Sequence, residues 1–142
     1  MNESVRRRDA TRPLRLCYPA EPAQLHRIRE DVRWWAEQNN VPDPVLVDLQ
    51  LALGEAVANG VEHAYRDGDP GTVDVDLELR ADESRGDVVA VRVADHGHWR
   101  QVPLVSGYRG RGLVMINRLA EQVVVSATRF GTQVCFEIPL HA

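Results

Sequence analysis

Two hydrophobic periods stand back to back in this chain, and the switch between them limits the fold more than any other feature. From about Pro44 to Tyr65, Leu46, Leu49, Leu53, Val57, Gly60 and Ala64 recur at three- and four-residue steps. That spacing predicts one long helix with a single apolar stripe. The turn Asp67-Gly68-Asp69-Pro70-Gly71 ends it. From Val73 the period drops to two: Val73, Val75, Leu77 and Leu79 alternate with Asp74, Asp76, Glu78 and Arg80. This is the pattern of a strand with one buried and one wet face. A one-sided helix followed by a one-sided strand buries both stripes by laying helix on sheet.

The remaining segments fit that layering. Leu14 to Tyr18 alternates as a short strand stopped by Pro19, and a helix from about Glu21 to Asn39-Asn40 places Leu25, Ile28, Val32 and Trp35 on one side. Val41-Pro42-Asp43-Pro44 connects the two helices. A second strand, Val88 to Ala94, ends at Asp95, and His96 to Gly110 reads as a mobile loop. Gly112 to Ala120 is expected as a third helix, and Val123 to Thr128 and Thr132 to Leu140 as the last strands. The predicted fold class is α+β, a two-layer α/β sandwich in the order β-α-α-β-β-α-β-β.

Composition excludes several chemistries. All 17 cationic residues are arginine, against 21 acidic ones, so no mechanism that depends on a lysine is open to this chain. Met1 to Arg12 concentrates four arginines and is expected to be a disordered basic leader, with one domain over 13–142. An acidic body argues against a direct nucleic-acid partner. No stretch is apolar enough for a membrane span or a secretory signal, which points to the cytoplasm. Cys17 and Cys135 lie in strand-like runs and are expected to be two buried thiols in a reducing compartment.

Four short motifs carry the chemistry. On the long helix, Glu55 and Asn59 sit about 40° apart, flanked by Glu62 and His63 (at the helical rotation of). A carboxylate can accept a proton from a hydroxyl, and a carboxamide oxygen is a hard ligand suited to Mg²⁺. Taken alone, the pair means little and reads more readily as solvated helix surface. Asp95-His96-Gly97-His98-Trp99 then places an acid at a strand end, where it can accept from an exocyclic amine while Gly97 lets a flat ring approach. Gly107-Tyr108-Arg109-Gly110-Arg111-Gly112 opens into a helix, a cradle for phosphate to which Arg109 or Arg111 can add charge. Gly131-Thr132 enters the last strand with a hydroxyl within reach of a ligand. His96 and His98 lack a third ligand nearby in sequence and are expected to face solvent.

These stretches resemble the boxes of the GHKL ATPase superfamily and, within it, the small anti-sigma factor serine kinases of the RsbW/SpoIIAB type, over about Leu14 to Leu140. Leu53-Gly54-Glu55-Ala56-Val57-Ala58-Asn59-Gly60-Val61-Glu62-His63-Ala64-Tyr65 resembles the N box, Asp95-His96-Gly97 the G1 box, Gly110-Arg111-Gly112-Leu113 the G2 box, and Gly131-Thr132 the last pair. The resemblance implies a Bergerat ATP-binding fold, Mg²⁺ held by Asn59, Glu55 as general base and Asp95 on the adenine amino group. His63, Gly97, Trp99, Arg109, Gly110, Arg111, Gly112 and Thr132 would complete the nucleotide site.

The implied partners are a sigma factor and a STAS-domain anti-sigma antagonist whose serine is phosphorylated. A homodimer is implied as an option as well, and whichever of Trp34 and Trp35 lies exposed is the candidate for that contact or for a partner contact. One position departs from the pattern: Trp99 stands where many relatives have the second G1 glycine. That departure favours an alternative, an ATP-binding regulatory module with weak or no catalysis.

Overall fold

Val73, Val75 and Leu77 turn one side of their strand into core while Asp74, Asp76 and Glu78 stay half-buried on the other. That alternation sets the two layers of the whole molecule. The computed structural model describes residues 12–66, 71–96, 107–128 and 131–140, with the backbone course alone for 62–66, 107–112 and 128. The elements in chain order are β1 (Leu14–Pro19), α1 (Gln24–Gln38), α2 (Asp43–Arg66), β2 (Thr72–Asp82), β3 (Gly86–Asp95), α3 (Gly107–Leu119), β4 (Glu121–Thr128) and β5 (Gly131–Pro139). The strands form one antiparallel sheet in the order β1-β2-β3-β5-β4.

The helices meet the sheet through its apolar side. Ile28, Val32, Trp35 and Ala36 of α1, and Leu49, Ala52, Leu53, Ala56 and Val57 of α2, are buried in one core with Val89, Val91 and Val93 of β3 and Val134, Phe136 and Ile138 of β5. Full burial of each large member contributes roughly 1.5–3 kcal/mol. The adjacent tryptophans part as helix geometry requires: Trp35 is 2% exposed and Trp34 61%. The tail of α1 is closed by Asn40 at φ 55, a left-handed residue, with the Val41 amide donating to the Ala36 carbonyl at 2.9 Å. On the other side Tyr18 donates its hydroxyl to Asp31, which clips β1 to α1.

Two expectations need correction. Cys17 is exposed and Cys135 half-buried, so neither thiol is a core residue. Leu14, Leu16 and Tyr18 take the core side of β1, and alternation sends Cys17 with Arg15 to the wet face. The third helix begins at Gly107, five residues ahead of the expected Gly112. Packing of α3 on α2 extends the helix through three glycines whose propensity alone favours a loop. Of the expected leader, residues 1–11 lie outside the described ones, and the Arg12 carbonyl accepts the Trp35 indole N–H at 2.8 Å.

Candidate functional site

β3 is the central strand of five, and its last residue, Asp95, is an acid only 5% exposed. Burying a carboxylate costs free energy unless donors surround it. One donor is the Thr132 amide on neighbouring β5, at 3.2 Å from Asp95 Oδ1. The neighbouring backbone is glycine by necessity. Gly131 has φ 143, and a Cβ built there would lie 1.9 Å from the Asp95 carbonyl oxygen. On the helix side, a Cβ at Gly60 would sit 3.4 Å from Asp95 Cβ and 3.8 Å from Asp95 Oδ2. The acid is thus walled by two positions where backbone, not side chain, faces it.

Residue 96 pins this strand end. The His96 amide donates to the Thr72 carbonyl at 3.0 Å, and its ring Nε2 lies 2.7 Å from Asp74 Oδ2. Burial alone would raise the Asp74 carboxyl, but hydrogen bonds from His96 and Cys17 outweigh it and hold the group below the usual range.

Asn59, Gly60 and Ala56 of α2, Val93 and Asp95 of β3, Leu113 of α3, Val125 of β4 and Thr132 and Val134 of β5 surround one cavity of about 30 Å³. Four elements beyond the acid's own strand therefore converge on it. The volume suits about one water. Larger grooves of about 370 Å³ on the outward sheet face and about 510 Å³ between α1 and α2 lie elsewhere. Chemistry, rather than volume, singles out the small one: of these three, it joins a buried acid, a carboxamide and a glycine.

The expected site residues divide accordingly. Asn59, Asp95 and Thr132 come together at this cavity. Glu55 is half-buried one turn earlier on α2 and does not line it. His63 lies on α2, and Arg109, Gly110, Arg111 and Gly112 on α3, with their side chains outside the described residues. Gly97 and Trp99 lie outside them entirely, as does His98. The expected Gly110 to Gly112 helix start is displaced, because the free first-turn amides now begin at Gly107 and Gly112 lies in the second turn. Sequence reasoning placed Gly60 in the apolar stripe and overlooked its proximity to Asp95. A glycine in mid-helix, which costs about 1 kcal/mol against alanine, was the available signal.

The donor set fits a flat heteroaromatic ring bearing an exocyclic N–H: one buried acceptor among Val93, Leu113, Val125 and Val134, fronted by a glycine. For a divalent cation, no group of three His, Cys, Asp or Glu side chains capable of holding one exists among the described residues. Mg²⁺ keeps waters and phosphate oxygens as ligands, so the single Asn59 oxygen suits it.

Comparison with known proteins points the same way. Residues 18–138 match the profile described as Histidine kinase-like ATPase domain. Serine-protein kinase RsbW of Listeria monocytogenes serotype 4a (strain HCC23) is 29% identical over 79 residues, which is 56% of this chain and 47% of that protein. The RsbW of Listeria innocua serovar 6a is 28% identical over a stretch of the same length. The chain spans about half the length of these curated relatives. Among solved structures, that of the RsbU and RsbW domains of Rv1364c from Mycobacterium tuberculosis superposes with a TM-score of 0.71 at 25% identity. It covers 91% of this chain and 32% of that one.

Proposed function

The chain belongs to the histidine kinase-like ATPase domain family, and from that premise we infer that it binds ATP with Mg²⁺ and acts as a serine/threonine protein kinase of the anti-sigma type. The observation that carries the reading is Asp95: a buried acid, held by the Thr132 amide and fronted by Gly60, on the same cavity as Asn59. An acceptor so placed selects a purine that offers an amino group and rejects one that offers a carbonyl.

The roles follow from the residue types. Asp95 accepts the adenine amino proton, and the Asn59 carboxamide oxygen is the protein ligand to Mg²⁺. The bound nucleotide and metal supply a phosphoryl group whose negative charge is partly offset. Glu55, one turn from Asn59, would take the proton from the partner's serine hydroxyl as that oxygen bonds to the γ-phosphorus of ATP and ADP leaves. Arg109, Arg111 and the amides at the start of α3 balance charge on the phosphate side. The partners proposed are a sigma factor, which the protein sequesters, and a STAS-domain antagonist, which it phosphorylates. No helix among the described residues is long and apolar enough to cross a membrane. A cytoplasmic location is part of the proposal and follows from its sigma-factor partner.

The test is phosphate transfer from radiolabelled ATP to a STAS-domain partner protein. Transfer should depend on Mg²⁺ and vanish in Glu55→Ala while ATP binding persists in calorimetry. A second reading, a nucleotide-binding module that sequesters a regulator without turnover, is favoured by Trp99 in the G1 box and by Glu55 lying off the cavity lining. ATP binding with no transfer above background selects it.

A further inference from the structure

Two sides of α2 meet at Glu55. Leu51, Glu55 and Asn59 follow one another at four-residue steps, so each lies about 6 Å further along the helix axis and about 40° further round it. Asn59 lines the small cavity, whereas Leu51 lines the groove of about 510 Å³ between α1 and α2. Glu55, half-buried, stands at the boundary between them. With ATP proposed on the cavity side, a hydroxyl that reaches Glu55 from outside the protein arrives over the groove side.

The groove is amphipathic. On α2 it is lined by Leu46, Val47 and Leu51, of which Val47 is 57% and Leu51 47% exposed. On α1 it is lined by Arg29 and Arg33. Among the described residues no carboxylate pairs with either arginine. Glu30, the acid on the same wall, is already engaged: its Oε1 lies 2.9 Å from His26 Nε2. Gly54 carries the arginine side of the groove toward Glu55. A Cβ there would lie 2.8 Å from Arg29 Nη2, so the guanidinium rests on helix backbone one residue before the acid. Gln50 fixes the two helices at that spacing by donating its Nε2 amide to the Arg29 carbonyl at 3.0 Å.

We propose that the α1/α2 groove docks the protein that is phosphorylated, and that the matching surface of that protein is acidic around an apolar centre. The proposal rests on the kinase reading and adds to it a place and a chemistry for the acceptor. Charge selects the occupant: on a chain of net charge −4, an acidic surface is repelled by the body as a whole and attracted at Arg29 and Arg33. Exposed apolar side chains rimmed by charge suit a protein contact, and burying Val47 and Leu51 supplies its centre. A partner seated there covers Leu51, one helical turn from Glu55. Trp34, the exposed indole of α1, does not line this groove.

Calorimetric titration of a STAS-domain partner protein into the full chain, loaded with a non-hydrolysable ATP analogue, reads docking without turnover. Arg33→Glu and Val47→Asp, each with unchanged melting temperature and unchanged ATP affinity, should weaken partner binding by ~10-fold or more. Added salt should weaken the native complex more steeply than the Arg33→Glu one. In the unmodified protein, amide exchange in the peptide spanning 43–54 should slow when the partner is added, a readout that needs no variant. A native chain that does not bind the partner overturns the proposal. So does full affinity in both variants, or a loss confined to Trp34→Glu. Groove-dependent binding supports the docking site even where no phosphate is transferred, a result that would count against the kinase reading alone.

Discussion

Gly131 approaches the backbone of Asp95 so closely that a methyl group on its Cα would lie 1.9 Å from the Asp95 carbonyl oxygen. The two residues end paired strands, β3 and β5, and the contact brings the Thr132 amide onto the Asp95 carboxylate. Gly131→Ala adds this clash to the strain of an alanine at φ 143. The substitution should destabilise the fold by roughly 2–5 kcal/mol. Urea unfolding measures it, and a loss under 1 kcal/mol would mean the two strand ends can separate freely.

Asp95→Asn is the sharpest probe of the base pocket. The carboxamide oxygen can still accept from Thr132, so the melting temperature should hold. The amide group beside it offers N–H where a purine amine needs an acceptor, and ATP affinity should fall ~10- to 100-fold. Calorimetric titration of ATP into the folded variant checks this, and unchanged affinity would remove Asp95 from the site.

Gly60→Ala should divide stability from binding. The nearest atoms to the added methyl are Asp95 Cβ at 3.4 Å and Val73 Cγ2 at 3.8 Å, ordinary contacts. Alanine also gains up to ~1 kcal/mol of helix propensity over glycine. Thermal stability should therefore stay level or rise, while the methyl in front of Asp95 Oδ2 weakens ATP by about ten-fold. Paired melting and titration curves that move together would contradict this arrangement.

The Tyr18–Asp31 hydrogen bond sets an alkaline limit. Donation to Asp31, with smaller contributions from burial and the Asp31 charge, raises the Tyr18 hydroxyl above its usual 10.0. A raised value means that the protonated phenol is the form the fold favours. Its contribution is complete below pH 10 and fades as pH climbs through the raised value. Tyr18→Phe should cost about 1 kcal/mol at neutral pH and remove that alkaline decline. Urea midpoints from pH 7 to 11 for both proteins provide the comparison.

The layering was legible because period is a direct record of burial. The Val73-Val75-Leu77 alternation became the inward side of β2, and the Leu49-Leu53-Val57 spacing became the buried stripe of α2. Asp95 was legible too, as an acid at the end of an apolar strand. The start of α3 was not, since glycines at 107, 110 and 112 argue locally for a loop and only contact with α2 overrides them. Cys17 is a different case: the alternation in Leu14 to Tyr18 puts it on the wet face, against the general tendency of thiols to be buried. Gly131 stood out beside Thr132, but its close approach to Asp95 rests on a dihedral angle and a contact between residues 36 apart in sequence, which no local pattern encodes.

Asp95 sits at the tip of the middle strand, and most of β3 is sealed from solvent. Proteins breathe from their margins inward, and a central strand is among the last parts to open. The cavity therefore has one wall, at the end of β3, that stays fixed for as long as the molecule is folded. On the proposed reading, recognition of the ring then needs no ordering step at Asp95.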